Sequence, residues 1–246
     1  MENINPVGYI RDDDRKEFDT HIRREFWINK NGIESIEPSV NYNQYWSQTG
    51  DLRSRELSSG IEFSLFKKWS IDISNDANFK AEYLPIFEKD FRNNMTELEL
   101  DYDSKTGKEI SFAYGKGMNF DSDVEEIRGS VDLKITEGWN ATYSITRLRF
   151  WPETDDESSW RHFVRSTYYF NSDMYFKVFY QSRYKVNRLL GDTFYDLDRE
   201  NIQVVFVWRF LPPFGSIQLA CQEGATRITE LDDRSKTFFT KLSWVF

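Results

Sequence analysis

The stretch that decides the fold of this chain is its last eleven residues, Lys236-Thr-Phe-Phe-Thr-Lys-Leu-Ser-Trp-Val-Phe246. Every second residue back from Phe246 is Trp244, Leu242, Thr240 and Phe238, and the positions between them include a serine and a lysine. A period of two indicates a β-strand with two different faces. Most soluble domains end in frayed, polar residues, so this apolar end requires a dry environment. The outward face of a β-barrel in a lipid bilayer supplies one, with aromatic girdles at its rims.

This ending is similar to the C-terminal strand signal of bacterial outer-membrane barrels, which the barrel-insertion machinery reads. The residues that would form the signal here are Phe238, Leu242, Trp244 and Phe246. The similarity implies outer-membrane lipids and the insertion machinery as partners, with other outer-membrane or periplasmic proteins as further candidates. An edge strand of a soluble sandwich is the alternative interpretation.

The composition fits a barrel better than a helical membrane protein. Aromatic residues make up 17% of the 246 residues, charged residues make up 30%, and the mean hydropathy is -0.67. No window approaches the roughly 18 to 20 apolar residues of a membrane helix. A barrel strand exposes only every second residue to lipid, so its mean hydropathy stays low although its interfaces are rich in aromatic side chains.

Charge and cysteine content narrow the functions that the chain can have. The formal net charge of -9 argues against nucleic acid as a partner, because nucleic acid requires a basic surface. Cys221 is the only cysteine, so an intramolecular disulfide is impossible. The run Asp12-Asp13-Asp14 is interpreted as a solvated acidic segment rather than a cation site. We predict no metal and no cofactor.

The two-residue alternation recurs along the whole chain and predicts about 12 to 14 antiparallel strands. Several have the length of about 9 to 11 residues that crosses a bilayer at a tilt. No linker or composition break divides the chain. We therefore predict a single all-β domain over residues 1–246, an antiparallel transmembrane β-barrel or the C-terminal part of a larger one.

Turn-forming residues predict the connections between these strands. Tight turns are expected at 29–32, 103–107, 136–138 and 171–173, and longer charged loops at 47–58, 151–159, 185–199 and 223–235. Short turns on one side and longer loops on the other are typical of a barrel.

Two irregularities interrupt the alternation. After Arg147 the apolar positions slip to Leu148 and Phe150, which predicts a bulge or a strand end. Val205 and Val207 make the strand at 202–210 apolar on both faces, as if something covered its inner side.

Polar side chains that alternate with these apolar rows would face the lumen of a barrel. A polar lumen can hold water, solutes or a plug, and the same charges can instead pair with each other across strands. The candidate lumen-facing residues are His21, Arg23, Glu25, Arg128, Asp132, Lys134, Lys177, Gln181 and Arg183.

No recognised catalytic motif is present. His21 and His162 are the only histidines, and neither lies beside a serine or cysteine in a nucleophile motif. A barrel-borne hydrolase would need one of them next to a serine or an aspartate. It is the weakest of the functional hypotheses, and we assign no catalytic residue.

Three stretches carry a family resemblance: Asn5-Pro-Val-Gly-Tyr-Ile-Arg-Asp-Asp-Asp14, the segment at 170–181 and the segment at 201–220. They resemble an uncharacterised bacterial family that joins an N-terminal family-nine carbohydrate-binding domain to a C-terminal outer-membrane β-barrel. The segment Pro213-Phe214-Gly215-Ser216 departs from the family's pattern by one inserted residue. The resemblance implies that the chain is the barrel portion. A signal peptide, which residues 1–8 do not resemble, would then lie upstream of the carbohydrate-binding domain.

Together these features predict a non-enzymatic β-barrel in the bacterial outer membrane, acting as a passive solute channel or as a membrane anchor for an accessory domain. The alternative is a soluble all-β barrel or sandwich whose apolar side surrounds a small apolar ligand. Tryptophan placement distinguishes the two, since a membrane barrel carries its tryptophans near strand ends in two belts, mostly facing outward, and a soluble fold buries them. The tryptophans in question are Trp27, Trp46, Trp69, Trp139, Trp160, Trp208 and Trp244.

Overall fold

The computed structural model describes residues 16–84, 87–103, 108–119, 122–151, 158–189, 192–227 and 232–244. Within these ranges the chain forms fourteen β-strands. They are β1 (Lys16–Arg23), β2 (Phe26–Lys30), β3 (Ile33–Trp46), β4 (Leu52–Leu65), β5 (Trp69–Leu84), β6 (Phe87–Asp103), β7 (Lys108–Asn119), β8 (Ser122–Thr136), β9 (Trp139–Trp151), β10 (Ser159–Tyr169), β11 (Met174–Leu189), β12 (Asp192–Leu211), β13 (Gly215–Arg227) and β14 (Asp232–Trp244).

All fourteen strands belong to one antiparallel sheet in which chain neighbours pair with each other from β3 to β14. The all-β fold, the antiparallel pairing and the predicted strand number are therefore confirmed. At one edge β1 and β2 both pair with β3, β1 along residues 39–46 and β2 along 33–36. These two short strands are consecutive halves of one sheet position, and the backbone amide of Arg24 between them donates to the Pro38 carbonyl at 3.2 Å.

The sheet has two distinct ends, which we name by their connections. At the turn end, tight turns follow β2, β4, β8, β10 and β12. Asn31 and Gly32 make the first of these turns with φ of 56° and 83°, the left-handed conformation that such turns require. The predicted turns at 29–32, 136–138 and 171–173 are confirmed, whereas residues 104–107 lie outside the described residues. At the opposite, extended end, β3 is joined to β4 through residues 47–51.

The strands continue much further at the extended end than the sequence pattern predicted. β4 begins at Leu52, β11 reaches Leu189 and β12 begins at Asp192, so the predicted loops at 47–58 and 185–199 are wrong over most of their length. The predicted loop at 223–235 is also largely strand, since β13 runs to Arg227 and β14 begins at Asp232. Beyond the apolar rows most residues of β4, β13 and β14 are polar, and charged residues also interrupt the apolar positions of β11 and β12. A two-residue alternation is hard to recognise in such a segment.

Residues 147–150 likewise do not form the predicted bulge or strand end. β9 pairs with β8 and β10 through this segment without a register shift. The polarity of the two faces reverses instead. Phe150 pairs with Val124, and both are buried on the face that is polar elsewhere. The irregularity in the pattern therefore marks a change of environment along a continuous strand.

The register divides the side chains into two faces, because paired residues of an antiparallel ladder point to the same side. We call them the apolar face and the polar face. Many of the large hydrophobic side chains on the apolar face are exposed, and most of the others are half-buried. The exposed ones include Ile22, Val40, Leu57, Trp69, Ile73, Leu98, Leu100, Ile110, Phe112, Trp139, Tyr168, Phe176, Ile202, Trp208, Phe238, Leu242 and Trp244.

The two edge positions of the sheet run in the same direction. β1 starts at the extended end, where Lys16 pairs with Trp46, and β2 finishes at the turn end. β14 also runs from the extended end to the turn end, where Trp244 pairs with Gly215. No pairing joins β1 or β2 to β14 among the described residues.

Candidate functional site

The polar face carries the candidate site. Eight of the nine candidate lumen-facing residues lie in strands on this face by register. His21 and Arg23 lie on β1 opposite Asn41 and Ser39, and Glu25 lies between β1 and β2. The others are Arg128, Asp132 and Lys134 on β8, and Lys177, Gln181 and Arg183 on β11.

Pairing across the sheet separates these residues into different neighbourhoods. Thr142 of β9 donates a hydrogen bond from its hydroxyl to Asp132, and Lys134 forms an ion pair with Glu137 at 2.7 Å in the next turn. Lys177 lies opposite Thr167, and Gln181 lies opposite Phe163. The eight residues that lie in strands thus share a face but do not form one cluster.

Four carboxylates form a row across the polar face, which we call the acidic row. Glu37 of β3 pairs with Glu62 of β4, Glu62 pairs with Asp72 of β5, and Asp72 pairs with Glu99 of β6. Like charges directly opposite each other in a ladder repel. A folded sheet tolerates such a row when counter-ions or fixed cations lie nearby, because the row concentrates negative potential.

Fixed cations reach the acidic row from its two sides. Arg23 forms an ion pair with Glu37, and its Nη2 lies 4.0 Å from Glu62 Oε2. On the other side Arg128 of β8 reaches over β7 to Glu97, with Nη2 2.6 Å from Oε1. The same nitrogen lies 4.0 Å from Glu99.

Small residues on β7 permit this reach across the sheet. Gly115 stands opposite Glu97 in the ladder, and Ala113 stands opposite both Glu99 and Arg128. A bulky side chain at either position would fill the space that the Arg128 guanidinium crosses. The contact also shows that the polar face is concave here, since β6 and β8 are not neighbours in the sheet.

A second charged group, which we call the Asp198 cluster, lies on β11 and β12. Asp198 stands at a register irregularity, where Arg183 pairs with Arg199 and Tyr184 pairs with Leu197. Its side chain is only 10% exposed and forms ion pairs with three cations. The distances to its carboxylate oxygens are 3.4 Å from Lys185 Nζ, 3.8 Å from Arg183 Nε and 3.8 Å from Arg199 Nε. A second carboxylate, Asp196, stands opposite Lys185 in the ladder, so three cations and two acids meet in this part of the polar face.

A hollow on the polar face is continuous across several strands. A cavity of about 390 Å³ is lined by Asp76 of β5 and by Arg161 of β10, five sheet positions away. Val124, Leu148 and Phe150 form its apolar part. Side chains of opposite charge from distant strands therefore face one space, and the sheet curves around it.

The apolar face shows where the predicted insertion signal lies. Phe238 is 71% exposed, Leu242 66% and Trp244 50%, and all three share the apolar face of β14. Phe246 lies outside the described residues. Six of the seven tryptophans considered above are on this face by register, whereas Trp27 pairs with Ser35 and lies on the polar face. Phe210 packs against both Trp208 and Trp244, with ring centroids 5.9 and 5.7 Å apart.

The two histidines lie on opposite faces of the sheet. His21 belongs to the polar face, whereas His162 lies on the apolar face with its Nδ1 3.0 Å from the Tyr143 hydroxyl and its ring stacked on Trp160. Ser182 stands opposite His162 in the ladder but is buried.

The described residues contain no group of three or more metal-ligating side chains, and Cys221 is exposed on the apolar face.

The acidic row and the Asp198 cluster were missed at the level of sequence. The four members of the acidic row stand at polar positions of alternating strands, so the pattern contained a signal for their face. Lys185, Asp198 and Arg199 instead fall in the segment that was predicted as a loop. Which acids meet across strands depends on the register, and a single sequence does not specify register.

Comparison with known proteins adds a remote structural likeness. No protein-family model and no curated protein sequence matches the chain. Among solved structures, the chain is similar to the CymD monoaromatic hydrocarbon channel, with a TM-score of 0.40 and 9% sequence identity over 94% of this chain and 87% of that chain. In the described part of this chain, no helix is long and apolar enough to cross a membrane.

Proposed function

We propose that this chain is a β-barrel of the bacterial outer membrane that lets small polar solutes pass through its lumen. One observation carries the proposal: the large apolar side chains are exposed on one face, while charges gather on the concave, opposite face. A soluble protein turns these faces the other way, because water opposes a continuous exposed apolar surface. In a bilayer this arrangement is the stable one.

The height of the apolar surface supports a membrane-spanning role. On β12 the apolar face carries Ile202, Val204, Phe206 and Trp208, and the first charge beyond them is Glu200. From Glu200 to Phe210 the strand rises through ten residues, which corresponds to roughly 25 Å along the membrane normal at a tilt of about 40°. That height matches the apolar band of outer-membrane barrels.

The charges on the polar face favour a channel for cations. The acidic row brings four carboxylates together, and only Arg23 and Arg128 reach it among the described cations. Rings of carboxylates in a pore favour the passage of cations over anions. The three cations of the Asp198 cluster lie on the same face and would orient solutes that carry both charges.

We also propose the finer assignment that the family resemblance implies, in which the barrel is the C-terminal part of a protein with a family-nine carbohydrate-binding domain. In that case the barrel serves as a membrane anchor as well. The upstream coding sequence tests this assignment, since a signal peptide followed by such a domain is expected there. An upstream sequence without either would contradict it.

Reconstitution tests the channel itself. Protein refolded in detergent should insert into lipid vesicles, resist added protease and let ions cross a planar bilayer in discrete steps. A protein that folds to a monodisperse state in plain buffer would instead support the soluble alternative. If the protein inserts into the bilayer but conducts no ions, the channel function is contradicted and the role as a membrane anchor remains.

A further inference from the structure

The apolar face carries an unusual set of charges just beyond its hydrophobic surface on β4 to β7. The described side chains on this part of the apolar face include Arg55, Arg92 and Lys116 at the extended end, and no carboxylate. On the polar face the same strands carry the acidic row. Among the described side chains of these strands, the extended end of the apolar face therefore carries cations, whereas the polar face carries the acidic row.

Two of these cations flank one aromatic ring. Arg55 of β4 pairs with Phe79 of β5, and Phe79 pairs with Arg92 of β6. Neighbouring strands are about 4.8 Å apart, so the two arginine backbones are roughly 10 Å from each other. Guanidinium groups on such long side chains can converge on one anion above the ring. Lys116 differs, because it stands opposite Glu125.

A groove of about 550 Å³ lies at this place. Its lining residues on the apolar face include Tyr42, Arg55, Leu57, Phe79, Arg92 and Met118. The groove therefore combines apolar side chains with two arginines and with the amide groups of Asn78, Asn93 and Asn94. Leu57 is exposed and continues the hydrophobic surface formed by Val40 and Ile73 nearer the turn end.

We propose that this groove binds the phosphorylated headgroup of a membrane lipid, with Arg55 and Arg92 holding the phosphate and the apolar side chains holding the first part of an acyl chain. The proposal rests on the membrane-spanning role proposed above. Arginine pairs with phosphate through two parallel hydrogen bonds. The groove lies where the apolar surface ends, and lipid headgroups occupy that level of a bilayer.

Native mass spectrometry of the full chain in detergent micelles tests the proposal. The probes are lipid A, dephosphorylated lipid A and inorganic phosphate. The wild-type protein should retain lipid A and release the dephosphorylated form. The double variant Arg55→Gln/Arg92→Gln should bind lipid A about tenfold or more weakly, because each guanidinium supplies charge-assisted hydrogen bonds.

Two further variants keep the test decisive. Arg149→Gln/Lys236→Gln removes the same charge from the apolar face of β9 and β14, outside the groove, and should bind lipid A as the wild type does. Arg55→Lys/Arg92→Lys keeps the charge and should recover part of the binding if the glutamine variant folds poorly. Equal weakening in both glutamine variants would overturn the proposal, as would equal binding of dephosphorylated lipid A.

The same experiment separates this site from the proposed function. Insertion of each variant into phosphatidylcholine vesicles reports on the barrel alone. Normal insertion with unchanged lipid A binding in Arg55→Gln/Arg92→Gln would overturn the lipid site and leave the barrel standing. Failure of the wild type to insert would overturn both. Binding of inorganic phosphate as tightly as lipid A would assign the groove to free anions and contradict a lipid ligand.

Discussion

The acidic row and the Asp198 cluster hold charge on the same face of one sheet in opposite ways. In the row, Glu37, Glu62, Asp72 and Glu99 stand directly opposite one another, and cations reach them only from the sides. In the cluster, one largely buried carboxylate is surrounded by three cations. The cluster is a structural arrangement that neutralises a buried acid. The row concentrates charge on the polar face at a cost to stability, which is typical of functional sites.

The largest effect is expected from breaking the Asp198 cluster. Asp198→Asn should lower the free energy of unfolding by about 3 kcal/mol, because it leaves Arg183, Lys185 and Arg199 close together without their carboxylate. Urea unfolding of the protein inserted in vesicles measures this change. Asp19→Asn, at an exposed position of β1, is the control and should change stability little. Equal stability of the Asp198 and Asp19 variants would show that the cluster is not structural.

Neutralising the acidic row should change selectivity rather than stability. In a potassium chloride gradient across a planar bilayer, the variant should lose about tenfold in preference for potassium over chloride, since the fixed negative potential disappears. Its reversal potential would move toward zero. The variant combines Glu37→Gln, Glu62→Gln, Asp72→Asn and Glu99→Gln.

A matched variant makes this result specific to the row. It removes four carboxylates from the apolar face and so changes the net charge by the same amount. Its selectivity should stay at the wild-type value. A shift as large as that of the row variant would assign selectivity to overall charge. The control combines Asp123→Asn, Glu125→Gln, Glu200→Gln and Glu223→Gln.

A smaller effect on stability is expected from removing Arg128, the residue of β8 that contacts the acidic row. Arg128→Gln should lower the free energy of unfolding by about 1 kcal/mol, because Glu97 and Glu126 lose a shared cation that is partly exposed to solvent. Lys134→Gln removes an ion pair with the highly exposed Glu137 and should cost less than about 0.5 kcal/mol. Chemical unfolding of both variants compares them. The reverse order of stabilities would contradict the bridging role of Arg128.

The smallest effect concerns a carboxylate held by hydroxyl groups rather than by cations. The hydroxyls of Thr49 and Ser47 donate to Asp51 and lower the pKa of its carboxyl group, in the connection between β3 and β4. A lowered folded-state pKa stabilises this turn above the ordinary aspartate pKa, and the contribution disappears as pH falls through the folded-state value. The protection of the Gly50 and Asp51 amides, relative to the exchange rate of an unstructured peptide at the same pH, should fall in that acidic range. In Asp51→Asn this pH-dependent loss of protection should be absent.

Much of the fold follows from the two-residue alternation, and much of the site does not. The exposed row of Phe238, Leu242 and Trp244 was predictable because alternation in one strand identifies its faces. The pairing of Glu62 with Asp72 was not, since a shift of two residues would keep both faces and separate the acids. The length of the strands beyond the apolar surface was missed for a related reason: where both faces are polar, the alternation vanishes although the ladder continues.

The common direction of the two sheet edges has a consequence for closure. If β14 paired directly with β1 and β2, that single seam would be parallel in an otherwise antiparallel sheet. A second copy inserted with the same membrane orientation would meet the first through the same parallel seam, so dimerisation cannot resolve the mismatch. An entirely antiparallel wall requires an odd number of additional strands between the two edges. Strand parity, more than length or hydropathy, therefore determines what can complete a closed wall from this sheet.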